Sequence, residues 1–406
     1  MSNLRLAPLP TPSTTSRENT SYRILTTISG AHLINDMMQS LILAIYPILK
    51  SGFHLTFGQI GLVTLTYQLT ASILQPLVGS YTDRHPSAYS LPISMALTTL
   101  GLLILGFAPS YSMVLLAASA MGFGSAAFHP EASRLCRLAS GGRHGLAQSY
   151  FQVGGNLGAA LGPLLAAAVI APFGQHSVTW FGGLSIIGIA LVTPVSRWYI
   201  AKQRSILQSR AGQVLRSPLP RRQVRSAIAI LLTLIFSKYF YIASISSFFT
   251  FYLIEKFGLS VSDAQFQLFL FLFASAIGTF AGGPIGDRIG RRAVIWTSIL
   301  GAAPFALLLP YANLFWTTTL AIVIGFVLSS AFSAIVVYGQ ELVPHKIGAI
   351  SGLFFGFAFG MGGLGAAVLG LWADYTSIDQ VYSMIAFLPL LGMVACYLPD
   401  LKGKQN

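Results

Sequence analysis

Long apolar runs follow one another along almost the whole chain, and short polar segments separate them. Each run is close to the ~20 residues that an α-helix needs to cross the hydrocarbon core of a bilayer. None shows the ~10-residue alternation that is typical of a membrane β-strand. The pattern therefore predicts an all-α membrane protein of twelve spanning helices. Their predicted limits are 24–49, 57–81, 91–109, 111–135, 145–171, 177–199, 226–254, 262–285, 293–310, 312–338, 348–372 and 379–399.

The two halves of the chain resemble each other in one charged turn. The sequence GGPIGDRIGRR, from Gly282 to Arg292, follows the second apolar run of the second half, and a shorter copy, GSYTDR, begins at Gly79. Their aspartates, Asp287 and Asp83, are 287 − 83 = 204 residues apart, which is close to half of the 406-residue chain. Internal repeats of this kind are typical of secondary transporters. We therefore predict two pseudo-symmetric six-helix bundles with a cavity between them.

The longest break in the hydrophobic pattern, 200–225, lies between the two halves. It contains Ser217-Pro218-Leu219-Pro220, which favours extended chain over helix. We therefore interpret this segment as a basic cytoplasmic linker. The predicted units are a tail at 1–23, bundles at 24–199 and 226–399 on either side of the linker, and a tail at 400–406.

Composition and charge agree with a membrane protein and indicate its orientation. The chain is 54% hydrophobic and 9% charged, whereas soluble domains carry roughly 25% charged residues. If both termini are cytoplasmic, only Lys50, Lys238 and Lys256 of the 24 basic residues lie away from the cytoplasmic side, as the positive-inside rule requires. We expect a multi-pass membrane protein with both termini in the cytoplasm. Its net charge of +13 is then explained by topology and by contact with anionic lipids, so no nucleic-acid partner is expected.

The charged turns are candidates for a conformational gate. Their glycines allow a neighbouring helix to come close, and each aspartate can face the positive N-terminal end of a helix. Contacts that exist in one conformation only would bias a two-state equilibrium. The alternative is that these residues merely anchor a turn. The first copy continues into His85-Pro86 instead of Gly-Arg-Arg, so its role is less well defined. The candidate gating residues are Gly79, Asp83, Arg84, Gly283, Asp287, Arg288, Gly290, Arg291 and Arg292.

The first span carries four polar residues on one helical face. His32, Asn35, Asp36 and Gln39 follow the spacing i, i+3, i+4 and i+7. Polar groups are costly in hydrocarbon, so such a face is expected to point into a cavity. We predict that Asp36 and His32, which are within reach of each other, take part in proton coupling. A hydrogen-bonded packing stripe is the alternative.

The fourth span contains a second set of charges. Glu131 and Arg134, at i and i+3, are expected to pair, and Glu131 is either a second proton site or only a partner for arginine. Arg134 and Arg137 lie closer to the cytoplasm than Asp36 and are candidate anion ligands.

The cavity is expected to collect further polar residues from helices of both halves. Gln148, Gln152 and Asn156 form a stripe on the fifth span, and the repeat places Lys238 of the seventh at nearly the depth of Asp36. Lys238 would then pair with Asp36 across the cavity, bind an anionic substrate, or simply pair with an acid for stability. The candidate substrate-binding residues are Asn35, Gln39, His129, Arg134, Arg137, Gln148, Gln152, Asn156, Lys238 and Tyr241.

No sequence motif indicates an enzyme. The chain contains no Walker loop and no nucleophile or metal-ligand constellation that is recognisable from spacing. We therefore expect a monomer without catalytic activity, cofactor or bound metal.

The charged turns resemble those of the major facilitator superfamily, and a narrower resemblance lies in three segments. The chain is similar to the fosmidomycin-resistance branch of that superfamily in Phe128–Pro163, Ala31–Asp36 and Gln39–Pro47. The resemblance implies an exporter in a bacterial inner membrane that moves fosmidomycin, a small phosphonate, in exchange for protons. Uptake of a small organic anion by proton symport is the alternative, and a non-transporting membrane sensor is a remote one.

Overall fold

The structure, a computed structural model, is helical over nearly all of the part of the chain that it describes. The described residues are 20–45, 48–49, 52–55, 57–85, 87, 89–210, 217 and 219–401. No strand occurs among them. The predicted tails at 1–23 and 400–406 therefore lie mostly outside the described residues.

The first half forms six long helices. A π-helical turn, Ala166–Ile170, a short helix, Ala171–Phe173, and a 3-10 segment, Gln175–Phe181, connect the fifth helix to the sixth. The helices are α1 (Tyr22–Ala44), α2 (Phe57–Arg84), α3 (Ser90–Gly106), α4 (Tyr111–Ala139), α5 (His144–Leu165) and α6 (Gly182–Arg210).

The second half repeats this arrangement with more irregular ends. A 3-10 turn, Leu309–Tyr311, follows its third helix, and Ser330 separates the two parts of its fourth helix. The helices are α7 (Arg221–Phe257), α8 (Val261–Ile289), α9 (Arg291–Leu308), α10 (Leu314–Ser329 and Ala331–Leu342), α11 (Ile347–Tyr375) and α12 (Ile378–Ile385, continued by a 3-10 segment, Leu388–Tyr397).

Eight of these helices, counted over the described residues, are long and apolar enough to cross a membrane by length and composition alone. They are α4 and α6 to α12. Of the remaining four, α3 is apolar but has only 17 residues. The sequences of α1, α2 and α5 contain many polar residues, which lower their hydropathy. The polar faces that single out α1 and α5 as candidate functional helices are thus the same features that weaken their hydrophobic signal.

The two helices that flank the predicted linker are longer than the predicted spans. α6 continues to Arg210 and α7 begins at Arg221, so part of the predicted linker 200–225 is helical. The reason is that helices extend beyond the hydrocarbon core, which the hydrophobic pattern does not report. The linker as a domain boundary stays a prediction.

Two close helix crossings join the halves, and the internal repeat relates their residues to each other. α2 crosses α11 at Gly79 and Gly348, and α8 crosses α5 at Gly283 and Gly145. A Cβ added at Gly79 would overlap the carbonyl oxygen of Gly348, and one added at Gly283 would overlap that of Gly145. Both crossings lie beside the charged turns. We call this side of the molecule, with the α2–α3, α4–α5, α8–α9 and α10–α11 loops, the basic end.

Candidate functional site

Three titratable side chains from two helices meet inside the first half. His32 Nε2 lies 3.0 Å from Asp36 Oδ2, and His129 Nε2 lies 3.7 Å from Asp36 Oδ1. The Nε2 atoms of His32 and His129 are 3.2 Å apart. The side chains of the histidines are almost fully buried, at 3% and 1% exposure, whereas that of Asp36 is 17% exposed. We call these three residues the His–Asp–His triad.

Backbone carbonyls orient both imidazole rings of the triad. His32 Nδ1 is 2.7 Å from Phe151 O on α5, and His129 Nδ1 is 3.0 Å from Ser125 O on its own helix. A carbonyl only accepts, so each Nδ1 carries a proton and each Nε2 points into the triad. Since Asp36 is also an acceptor when ionised, two ring nitrogens and one carboxylate converge, and a proton or another cation shared between them would stabilise the arrangement.

The remaining two residues of the polar face on α1 bond inside the first half. Thr98 donates to Asn35 Oδ1 over 3.1 Å, and Tyr67 donates to Gln39 Oε1 over 2.6 Å. Asn35 also donates to Asp36 Oδ1 over 3.1 Å. Asn35 is 0% and Gln39 4% exposed. These contacts favour a packing and positioning role over direct contact with a substrate.

The charges of α4 lie in a separate buried cluster. Arg134 forms a two-point ion pair with Glu131, in which Nε lies 3.0 Å from Oε2. Its guanidinium also lies 5.0 Å from the centre of the Tyr199 ring. Glu131 is 1% exposed. Both charges are therefore neutralised within the protein.

Arg137 belongs to a polar contact between the halves. Its Nη1 donates to Gln340 Oε1 over 3.2 Å, and Gln340 Nε2 donates to Ser351 over 2.9 Å and to Ser133 over 3.1 Å. Ser133 in turn donates to Gln148 Oε1 over 2.8 Å. Gln340 was not predicted, although 340 − 137 = 203 is the repeat distance and would have indicated it.

A small cavity lies between the halves, where α5 faces α7, α8 and α10. Its volume is about 130 Å³. It brings together three predicted residues, Gln152, Asn156 and Lys238. It also exposes polar and aromatic groups that the sequence analysis did not single out, because nothing in their local pattern distinguishes them from packing residues. These are Tyr239, Ser275, Thr279, Ser329 and Phe332.

The ammonium group of Lys238 is buried in this cavity, and no described residue offers it a polar contact shorter than the limit of a hydrogen bond. Lys238 is 2% exposed, and its Nζ lies 3.5 Å from Ser329 O, at the limit of a hydrogen bond. The rings of Phe332 and Tyr239 lie 5.2 and 5.5 Å away. The expected pair with Asp36 is absent from the ion pairs of the described residues, because Asp36 faces the two histidines of its own half.

Two other predicted residues line the cavity, whereas the predicted residue Tyr241 does not. Asn156 donates to Thr279 over 3.0 Å, which joins the two halves. Gln152 Oε1 has no hydrogen-bond partner among the described residues. Tyr241 is 1% exposed and does not line the cavity; Tyr239 does instead.

The charged turn of the second half binds the N-terminus of α5. Asp287 accepts from the backbone N–H groups of Gly145 and Leu146, each over 2.9 Å. Arg291 pairs with the same carboxylate over 2.8 Å and with Glu341 over 3.2 Å. The contact therefore links the halves by charge, by two hydrogen bonds and by the favourable end of a helix.

The turn of the first half makes the equivalent contact, although its sequence is shorter. Asp83 accepts from the N–H groups of Gly348 and Ala349 at the start of α11, over 2.9 and 2.8 Å. The remaining residues of the two turns have more local roles. Gly290 has φ of 104° and allows the sharp turn between α8 and α9, Arg292 donates to Cys396 O over 2.6 Å, and Arg84 and Arg288 are exposed.

The chain folds into two related helical bundles that are joined by symmetric contacts at one end and enclose a cavity with a buried lysine. This arrangement is that of a secondary transporter of the membrane. The family comparison agrees: the model of the Major Facilitator Superfamily matches residues 28–260 and 231–405. The chain belongs to this superfamily, and within it to the fosmidomycin-resistance branch.

Two relatives and one solved structure illustrate this membership. The chain is 60% identical to the fosmidomycin resistance protein of Escherichia coli K12, over 96% of each chain. It is 42% identical to the uncharacterised MFS-type transporter YfnC of Bacillus subtilis 168, over 97% of each chain. The crystal structure of the human organic anion transporter MFSD10 superposes with a TM-score of 0.73 at 15% identity, covering 94% of this chain and 100% of the other, which shows a common fold.

Proposed function

We propose that this protein is a proton-coupled antiporter of the bacterial inner membrane that exports fosmidomycin or a similar small anion by alternating access. The name of the Escherichia coli relative supports the substrate. The observation that carries the proposal is the buried ammonium group of Lys238, in a cavity between the two halves, which forms no ion pair with a described residue.

Lys238 is the best candidate for the anion site. A buried charge without a partner is strongly unfavourable, and the contacts of Lys238 are one long bond to a carbonyl and two aromatic rings. A phosphonate would supply the missing negative charge. Arg134 is the weaker candidate because Glu131 already neutralises it, and Arg137 is bound to Gln340.

Asp36, assisted by His32, is the proposed proton carrier. Its carboxylate is partly exposed, and its two imidazole neighbours can share a proton with it. Glu131 is less suited, because protonating it would leave the buried Arg134 uncompensated, and breaking such a pair typically costs ~3–5 kcal/mol.

The triad is placed so that its charge can influence the contact between the halves. The ring of His129 lies 5.3 Å from that of Phe355 and 5.1 Å from that of Phe359, both on α11 of the second half. If the basic end faces the cytoplasm, as the distribution of Lys and Arg predicts, the contacts of Asp83 and Asp287 hold the cytoplasmic side closed. Proton binding on one side of the membrane would then favour one of the two conformations.

Binding measurements on a Lys238 variant test the substrate site. Lys238→Met keeps most of the apolar volume and removes the charge. A charge-assisted contact is worth ~1.5–3 kcal/mol, so the affinity for fosmidomycin in calorimetry should fall roughly ten- to a hundred-fold. The matched control is Lys256→Met on the same helix, since Lys256 bonds to Tyr252 over 2.8 Å outside the cavity. A neutral diester of the drug should bind parent and variant alike. Equal affinity of both proteins for the anionic drug would contradict the assignment.

A further inference from the structure

We propose that the His–Asp–His triad is a binding site for a transition-metal dication, with Zn²⁺ as the best-fitting ion. This inference is independent of the transported substrate and of the direction of transport, but it uses the residues proposed to carry the proton, so zinc bound at the triad would exclude the proton. It rests on the geometry of His32, Asp36 and His129, whose ligand atoms all lie within 4.8 Å of one another.

The separations of the ligand atoms fit the coordination sphere of zinc. With Zn–N and Zn–O distances of ~2.0–2.2 Å, two ligand atoms of a tetrahedral site are about 3.3–3.5 Å apart. The two histidine nitrogens are 3.2 Å apart, and each lies near a different oxygen of Asp36, His32 Nε2 3.0 Å from Oδ2 and His129 Nε2 3.7 Å from Oδ1. An ion held by both nitrogens would therefore face the carboxylate, which can bind it through either oxygen. A fourth position would remain for water, as in open three-ligand sites.

The groups around the triad are those that support a metal site. Imidazole ligands of metals usually donate their other N–H to a carbonyl or carboxylate, which fixes the tautomer. Here His32 and His129 both do so, toward Phe151 O and Ser125 O. Asn35, through its amide, holds the carboxylate of Asp36 in the same way over 3.1 Å.

The missing side chain of Gly155 on α5 leaves the space that the triad occupies. A Cβ added at Gly155 of α5 would overlap the imidazole of His32 and the carboxylate of Asp36. Any larger residue there would push these two groups apart. Asp36, which is 17% exposed, gives an ion a route to the buried imidazoles.

Two imidazoles and one carboxylate favour borderline ions over Mg²⁺ or Ca²⁺, which prefer oxygen ligands. The sequence did not indicate this site because His129 is 129 − 36 = 93 residues from Asp36. Only the packing of α4 against α1 and α5 brings the third ligand into place.

Titration of the purified full-length protein, freed of any polyhistidine tag, with Zn²⁺ at constant pH tests the proposal. We expect one site per chain in calorimetry, and at least tenfold weaker binding for Asp36→Asn and for His129→Gln. His345→Gln is the matched control, since His345 is exposed and far in the sequence from the triad. Its zinc affinity should equal that of the parent.

A second measurement needs only the parent protein, so it does not depend on whether a variant folds. Cu²⁺ bound at the triad should show two imidazole ligands in its electron spin-echo modulation, and added Zn²⁺ should displace it. No saturable zinc binding by the parent, equal binding by the triad variants, or fewer than two imidazoles at the copper ion would each overturn the proposal.

Discussion

Replacing Asp287 by asparagine should weaken the contacts that hold the basic end closed, without changing the cavity at Lys238. The carboxylate binds two N–H groups of α5, each over 2.9 Å, and Arg291 over 2.8 Å. Asparagine keeps an oxygen that can accept one of these bonds but loses the negative charge. The equilibrium between the two conformations should therefore move toward opening at this end.

The size of the shift follows from two contributions. A negative charge at a helix N-terminus is worth ~0.3–1 kcal/mol, and up to ~2 kcal/mol when it is partly buried. The side chains of Asp287 and Arg291 are 18% and 13% exposed, and a solvent-screened pair adds only ~0–1 kcal/mol. A total of ~1–2 kcal/mol corresponds to a change of roughly 5- to 30-fold in the population ratio.

A cysteine at position 149 would report this change. Ser149 is 0% exposed and lies against Gly283 between the halves, and its hydroxyl has no hydrogen-bond partner in the described part of the chain. In a Ser149→Cys background with exposed Cys396 replaced by serine, the rate of maleimide labelling measures how often this interface opens. Asp287→Asn should raise that rate roughly 5- to 30-fold.

The matched control for this experiment is Asp263→Asn. Asp263 is also bonded at the N-terminus of a helix, its own helix α8, but its contacts with Ser260 stay within the second half. Its replacement should leave the labelling rate unchanged. If Asp287→Asn labels no faster than its parent, Asp287 is only a turn residue and the proposed gate is wrong.

Two further predictions concern the proton site and the helix crossing. Asp36→Asn should stop drug-dependent proton movement in proteoliposomes, because it removes the titratable group at nearly constant shape. The variant should stay folded and still bind the drug. Unchanged proton movement would transfer the role of proton carrier to Glu131. Gly145→Ala should also accelerate labelling at position 149, because the added methyl group overlaps Gly283 O, whereas Gly183→Ala, which meets nothing within 4 Å, should not.

The sequence predicted the fold well because its signals are long and repeated. Twelve apolar runs and one repeat distance near 203 are enough to indicate two similar bundles, and the comparisons confirm the superfamily. The ends of the helices were less predictable. α6 and α7 continue into the polar linker, where helix formation no longer depends on hydrophobicity.

The site was predictable only where its residues share a helix. The proximity of His32 to Asp36 and of Glu131 to Arg134 follows from spacings of four and three residues, and both pairs form. Contacts between helices do not follow from such spacing. The sequence could not show that His129 joins Asp36, that Asn35 bonds to Thr98, or that no acid among the described residues pairs with Lys238, because each depends on how distant segments pack.

The contact of Asp83 shows a limit of motif matching. The first charged turn departs from the pattern of the second after Arg84, yet Asp83 binds the start of α11 with the same geometry that Asp287 has at α5. The aspartate and the neighbouring glycine are sufficient for this contact. Arg291 of the second copy adds ion pairs to this contact rather than creating it.

The direction of drug flux against an imposed pH gradient tests proton-coupled antiport most directly. Purified protein would be reconstituted into liposomes with an acidic interior, and radiolabelled fosmidomycin would be added outside. Protons leaving the liposomes should drive the drug inward above its equilibrium level, and a protonophore should abolish this accumulation. Accumulation that instead requires an acidic exterior would indicate symport, and accumulation that ignores the gradient would contradict proton coupling altogether.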